Sequence, residues 1–495
     1  MRPNGWSHQT PAAIVDLTKP GTLAFLVDRY CGTDPEPVSR RRALINVIET
    51  ALNNGARTAV IEYRYNDLDY QDEHSRFYSR TFRQYPGFTH RLHFFLEPPP
   101  TEVYDDHVAA VFDDMQYLGY CVLRPVSGAP VGRTMLAVPD ELAPHVACAA
   151  TDVVNFFGKT YSVTAAPFMA QDSQLGICAH AAAWTVSYFH RLRYGSPRHL
   201  PGAMAAAPMG TDLGRPVPSP GLTIGQLSAV LQNAGLPPLV YRPEMLRPTG
   251  ETLESLACRY LDSALPVIVG THHHCFVLVG YKPGSGRNSE PQFICQDDEV
   301  GPYQLLPART AFAGDPWQCL VVPLPDQLYV PVERAEPIGR TRLEFDLTQS
   351  AENLWLRSGR AEGKELLRRL RKRNEVEYVT TAIRSTEFKQ TRHHQLFLDS
   401  VKHAYLRIPM PKWIWVVELV DRARFRRGEP AVLAEAVIDS TDHSRDMHVI
   451  AWRVPGLLRH WDSDDDRIGD VLIDDAQPPT RSVCATLSAR GTEQP

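Results

Sequence analysis

Three β-rich runs lie close together between residues 266 and 297: PVIVGT, CFVLVGY and QFICQD. They constrain the fold more than any other feature of the chain. The connections between them, one a Pro-Gly-Ser-Gly turn at residues 283–286, are too short for the crossover that a parallel pair needs, so the runs pair antiparallel. Two helical passages come first. Cys178 opens an alanine-rich run that reaches about Arg193 and stops at Gly195. Thr223 then caps an amphipathic helix with Ile224, Leu227, Val230 and Leu231 on one face and Gly235 as terminator. Helix, helix, then antiparallel sheet is the order of an α+β domain.

This order puts reactive side chains at element ends. A thiol is a strong nucleophile only as thiolate, which a helix N-terminus and a neighbouring histidine both favour. Cys178 follows the loop QDSQLGI, in which Gly176 permits a tight turn into the helix. His274 opens the strand that runs to Gly280 and Tyr281, and Asp297 closes the next one, so antiparallel pairing can carry Asp297 back beside the histidine. Neighbouring strand residues face opposite sides, so only one of His273 and His274 faces the cleft, and the spacing to Gly280 favours His274.

The segment from about Ala166 to Val322 resembles the papain-like cysteine peptidases, most closely the bacterial branch that includes the double-glycine leader peptidases. The resemblance rests on a glutamine shortly before GICAHAA, on LPVIVG, on HCFVLVGY and on ICQDD, and it covers about a third of the chain. It implies a papain-like central domain in which a Cys-bearing helix packs on an antiparallel sheet bearing His and Asp. It also implies roles: Cys178 attacks a carbonyl, His274 serves as base and acid, Asp297 orients it, and a glutamine helps form the oxyanion hole. In that family the glutamine usually lies six residues before the cysteine, where this chain has Asp172. Gln171 and Gln174 flank that position; Gln171 is preferred because Gln174 leaves little chain for the turn. Asp298 and His273 are alternates by a one-residue slip.

A chain of 495 residues exceeds one ordinary core. The expected division is 1–160 as a mixed α/β domain, 161–325 as the papain-like domain and 326–495 as a β-rich domain with a little helix. In the first, Ser39 caps a helix ended by Gly55, TAVIEYRY follows as a strand, and a second helix-then-strand passage runs through DDHVAAVFDDMQYLGYCVLRPVSG. In the last, HAYLRI, KWIWVVELVD, AVLAEAVID and MHVIAWRV read as β.

Composition excludes several classes of function. A formal net charge of -5 gives no general attraction to nucleic acid or anionic membrane. The basic run from Lys364 to Arg373 carries Leu366, Leu367 and Leu370 on one face and reads as a solvated amphipathic helix; Arg368 and Arg371 are its candidates for phosphate contact. No apolar run approaches a membrane span, and the first residues lack a secretory signal, so a cytoplasmic location is expected. Nine scattered cysteines suggest no disulfide framework. His180 reads as a surface or helix-face residue. His272, His273 and Cys275 with Cys178 lack paired zinc-ligand spacing, and DSDDDRIGDVLID has Arg467 and Ile473 where a calcium loop needs Gly and Glu. Glu62, Asp67, Asp69, Asp72, Glu73 and His74 read as an acidic loop beside aromatics. No cofactor or metal is implied. The expected function is that of a cysteine-dependent hydrolase acting on a protein or peptide through a thioacyl intermediate. An acyltransferase or transglutaminase-like enzyme with the same triad, or a catalytically silent papain-like scaffold, are the alternatives. No feature bears on oligomeric state.

Overall fold

The computed structural model describes residues 12–32, 38–98, 116–172, 178–206, 222–248, 250–284, 290–307, 316–350, 366, 368–370, 372, 375–396, 398–442, 449–462, 467–472 and 479–484. The chain divides into two compact units, residues 1–257 with 265–323, and residues 258–264 with 324–495.

In the first unit, β1 (Ala12–Asp16), β2 (Thr58–Tyr65), β3 (Thr89–Phe95), β4 (Tyr117–Leu123) and β5 (Val131–Leu136) form an antiparallel sheet in chain order. A separate hairpin joins β6 (Ala150–Phe156) to β7 (Lys159–Ala165). A second antiparallel sheet comprises β8 (Pro238–Tyr241), β9 (Val267–Gly270), β10 (Cys275–Lys282), β11 (Gln292–Asp297), β12 (Gly301–Pro307) and β13 (Cys319–Pro323). Its strand order is β12-β11-β10-β9-β13-β8. The three β-rich runs are its centre. The Cys178–Tyr194 helix packs on β10 and β9 and is buried on every side from Ala179 to His190, which explains its run of alanines. His180 is therefore an interior residue and not a surface one. The Ile224–Asn233 helix has the expected Thr223 cap, reinforced by Gln226 in a reciprocal capping box. The helix expected within DDHVAAVFDDM lies outside the described residues.

Residues 1–160 and most of 161–325, read from the sequence as two domains, share this one unit; only 258–264 and 324–325 fall in the other. Hydrogen bonds join them across the expected boundary. Thr134 and Phe168 exchange a backbone pair at 2.8 and 3.0 Å, the Cys148 N–H donates to the Val279 carbonyl at 3.0 Å, and Asn46 Nδ2 donates to the Val300 carbonyl at 2.6 Å. Buried backbone groups need such partners, so these contacts cannot be given up cheaply. The acidic stretch is not a loop either. Asp67 caps the Leu68–Arg76 helix, Asp67 pairs with Arg133 at 2.6 Å, Asp69 with Arg198 at 2.9 Å and Glu73 with Arg124 at 3.3 Å, and all three carboxylates are buried.

The second unit is built on a six-stranded antiparallel sheet in chain order: β14 (Val376–Arg384), β15 (Trp413–Asp421), β16 (Val432–Asp439), β17 (Val449–Val454), β18 (Leu457–Asp462) and β19 (Arg467–Leu472). HAYLRI is not a strand. It ends the Asp399–Arg407 helix, whose Val401, Ala404, Tyr405 and the following Ile408 recur at helical spacing and pack into the core. Glu418 and Glu435 stand directly opposite one another on β15 and β16, and Arg392 neutralises them from 2.5 Å on each side. Leu366 in the basic run is buried, and Arg368 and Arg369 face Glu375 and Asp421, whereas Arg371 lies outside the described residues. Among the described residues, no helix is long and apolar enough to cross a membrane.

One glycine in the site-bearing sheet has a stringent steric reason. Val146 bridges Gly280, and a Cβ there would sit 2.0 Å from the His145 carbonyl oxygen. Backbone must shift to admit it. Gly280→Ala is expected to lower stability by about 1–3 kcal/mol or more in urea unfolding, the range for an overpacked site; an unchanged midpoint would show that this contact does not constrain the strand.

Candidate active site

The local structure delivers each reactive group to one place. Cys178 is the first residue of its helix and is half-buried. His274 precedes β10 in a tight turn, where Thr271 N–H donates to the His274 carbonyl at 2.8 Å and the His274 N–H donates to Thr271 Oγ1 at 3.1 Å. On the neighbouring strand the register pairs Val277 with Gln296. Asp297 is thus level with Phe276, on the same face as His274 and diagonal to it.

His274 Nε2 and Asp297 Oδ1 are 3.0 Å apart. The same oxygen accepts from the backbone N–H groups of Glu299 at 3.0 Å and Val300 at 3.2 Å, so the carboxylate is held from three directions. With Nε2 occupied, Nδ1 is the ring nitrogen available to the thiol, and the Cys178 and His274 side chains are hydrogen-bonded. The three residues expected to act together do meet.

Charge placement then decides protonation. The Cys178 thiol is drawn down to about 5, first by a hydrogen bond from the Cys275 thiol; burial opposes this, and the His274 hydrogen bond and charge add to it. Burial works against a charged His274, but hydrogen bonds with Asp297 and Cys178 and the charges of Asp298 and Asp297 carry it up to about 11. Both directions favour a thiolate–imidazolium pair. Cys275 was not anticipated as part of the site. Its own thiol is pushed well above the ordinary range, first by the Cys178 contact and then by burial, so it stays protonated as a donor. Its place at the start of β10, beside His274, is the only trace of this in the sequence.

The alternates separate clearly. His273 is exposed, as is His272. Asp298 is buried, with Oδ1 3.8 Å from His274 Nε2, and its carboxyl is pushed well above the usual range, chiefly by burial. Gln171 donates from Nε2 to Glu299 Oε1 at 2.9 Å, so the structure places it against the acidic end of β11. Gln174 lies outside the described residues. Asp172, at the position where the resemblance implies a glutamine, is buried and accepts from the Tyr78 hydroxyl at 2.5 Å. No family model matches the chain, and no curated protein matches it.

These protonation states fix a pH signature. With the Cys178 thiol drawn down to about 5 and His274 carried up to about 11, the ion pair is expected to hold across the neutral range. Both groups that draw the thiol down are lost in the double variant His274→Ala/Cys275→Ala, where a thiol restored to about 8.5 loses roughly 300-fold in thiolate fraction near pH 6 but gains roughly 40-fold in intrinsic nucleophilicity. Iodoacetamide should therefore alkylate native Cys178 on the order of tenfold faster than the variant near pH 6, and the two profiles should cross near pH 7. Parallel profiles at all pH values would exclude the ion pair.

Proposed function

We propose that this protein is a cysteine-dependent hydrolase of peptide or protein acyl groups. The observation that carries the reading is the His274 Nε2–Asp297 Oδ1 contact of 3.0 Å, with the Cys178 thiol hydrogen-bonded to the same ring. The thiolate attacks the substrate carbonyl carbon; a C–S bond forms and the carbonyl π pair moves to oxygen. When that pair returns, the C–N bond breaks and the leaving amine takes the proton from His274 Nδ1. The neutral imidazole next removes a proton from water. Hydroxide attacks the thioester, and the C–S bond breaks to release the acid and regenerate the thiolate–imidazolium pair. Asp297 keeps its hydrogen bond to Nε2 throughout, which fixes the tautomer and favours the imidazolium.

A silent scaffold is the second reading, and Asp172 favours it. A carboxylate tied to Tyr78 supplies no N–H to an oxyanion. A peptidyl 4-nitrophenyl ester separates the two. Native protein should release a stoichiometric burst of nitrophenol, gain an acyl group on Cys178 by mass spectrometry, and then turn over. Cys178→Ala should lose the burst, and His274→Ala should slow turnover by at least about 100-fold, the lower range for a positioned base. Added glycinamide diverts the acyl group into an amide if the enzyme transfers acyl groups and leaves the free acid if it hydrolyses. An adduct that forms and never turns over would favour the scaffold.

A further inference from the structure

The triad uses one carboxylate, yet two stand at His274 Nε2. Asp298 has no part in the steps above, and its burial is costly unless a cation or a proton compensates it. Nε2 lies 3.0 Å from Asp297 Oδ1 and 3.8 Å from Asp298 Oδ1, and one ligand atom from each of the three residues lies within 4.8 Å of the others. A tetrahedral shell with bonds of about 2.0–2.2 Å has edges of about 3.3–3.6 Å, so the two measured separations bracket that of a zinc-like ion. A second observation points the same way. Asp297 Oδ2 and Asp298 Oδ2 are both buried without a hydrogen-bond partner, on side chains only 0% and 6% exposed. Buried carboxylate oxygens are rarely left so, and a divalent cation held between the two carboxylates would offset the cost of burying both.

We propose that His274 Nε2, Asp297 and Asp298 bind a divalent transition-metal ion of the zinc class, on the edge of the imidazole away from Cys178. The ligation rests on this geometry alone; its consequence for turnover rests on the hydrolase reading. Binding replaces the Nε2 proton, and any proton on Asp298, with the metal, and those protons leave to solvent. The ring's remaining hydrogen then sits on Nδ1. To give that hydrogen to a leaving amine, or to take one from water, the ring would have to become an imidazolate, so the bound metal arrests the cycle and its removal restores it. The site is a metal-sensitive brake on the triad.

Zinc chloride titrated calorimetrically into metal-free, full-length protein tests this, with Cys178→Ala in parallel. One zinc per chain should bind in both proteins, because the thiol is not a ligand, and Asp298→Asn should weaken binding at least about tenfold. X-ray absorption of the zinc-loaded Cys178→Ala protein requires no change at the carboxylates, so it guards against a misfolded Asp298→Asn. It should show only nitrogen and oxygen at about 2.0–2.2 Å, without sulfur at about 2.3 Å. Binding that vanishes in Cys178→Ala, a sulfur shell, or an Asp298→Asn protein that is folded yet binds unchanged would each overturn the proposal. Loss of the Cys178 burst would count against the hydrolase reading and leave these binding results intact.

Discussion

The contact between His274 Nε2 and Asp297 Oδ1 is the interaction on which the rest of the site depends. It decides which ring nitrogen remains for the thiol, and it raises the proton affinity of that ring, which together with the Cys275 donor favours the thiolate. It exists because two adjacent antiparallel strands have a fixed register, and a slip of one residue would turn Asp297 to the other face of the sheet. Sheet packing and proton chemistry are therefore one problem here. The backbone donors from Glu299 and Val300 hold the carboxylate in place, so the histidine meets a preorganised acceptor.

Buried charge does comparable work on the chain that leads to Cys178. Arg124 donates to the Ala170 carbonyl at 2.9 Å and pairs with Glu73 at 3.3 Å, while Tyr78 holds Asp172 and Gln171 reaches Glu299. Burial pushes the Glu73 carboxyl up to about 8, with Arg124 opposing. A buried hydrogen-bonded contact of this kind gains little net stability, but it is strongly sensitive to loss of one partner, which leaves the other polar group buried and unmatched. That property suits a segment that must present a cysteine in one orientation. It also explains why the first 160 residues and the Cys-bearing segment form one unit: Glu73, Tyr78 and Arg124 come from the former, and Ala170 and Asp172 from the latter.

Local signals made much of this readable from the sequence. Thr223 with Gln226, Gly195 after the cysteine helix and the three β-rich runs all carry their structural meaning within a few residues. Asp297 was placed by counting along a hairpin. What escaped depends on distant partners. HAYLRI has β-rich composition, but its helical period shows only when Val401 is counted with it. His180 sits in an alanine-rich run and has no marker of burial except the absence of a polar face on that helix. The acidic residues from Asp67 to Glu73 looked solvated because Arg124, Arg133 and Arg198 lie far along the chain. The roles of Cys275 and Asp298 follow from a third dimension that strand alternation alone does not supply.

The central claim is that Cys178 rests as a thiolate paired with His274. Thiolate ultraviolet absorbance measured against pH, as the difference between native protein and Cys178→Ala, tests it without any substrate or reagent. The account predicts one thiolate that appears with a midpoint near 5, moves upward in His274→Ala, and moves further upward when Cys275→Ala is added. A native midpoint near the ordinary value of about 8.5 would contradict it, since the geometry would then hold a neutral thiol beside a neutral ring.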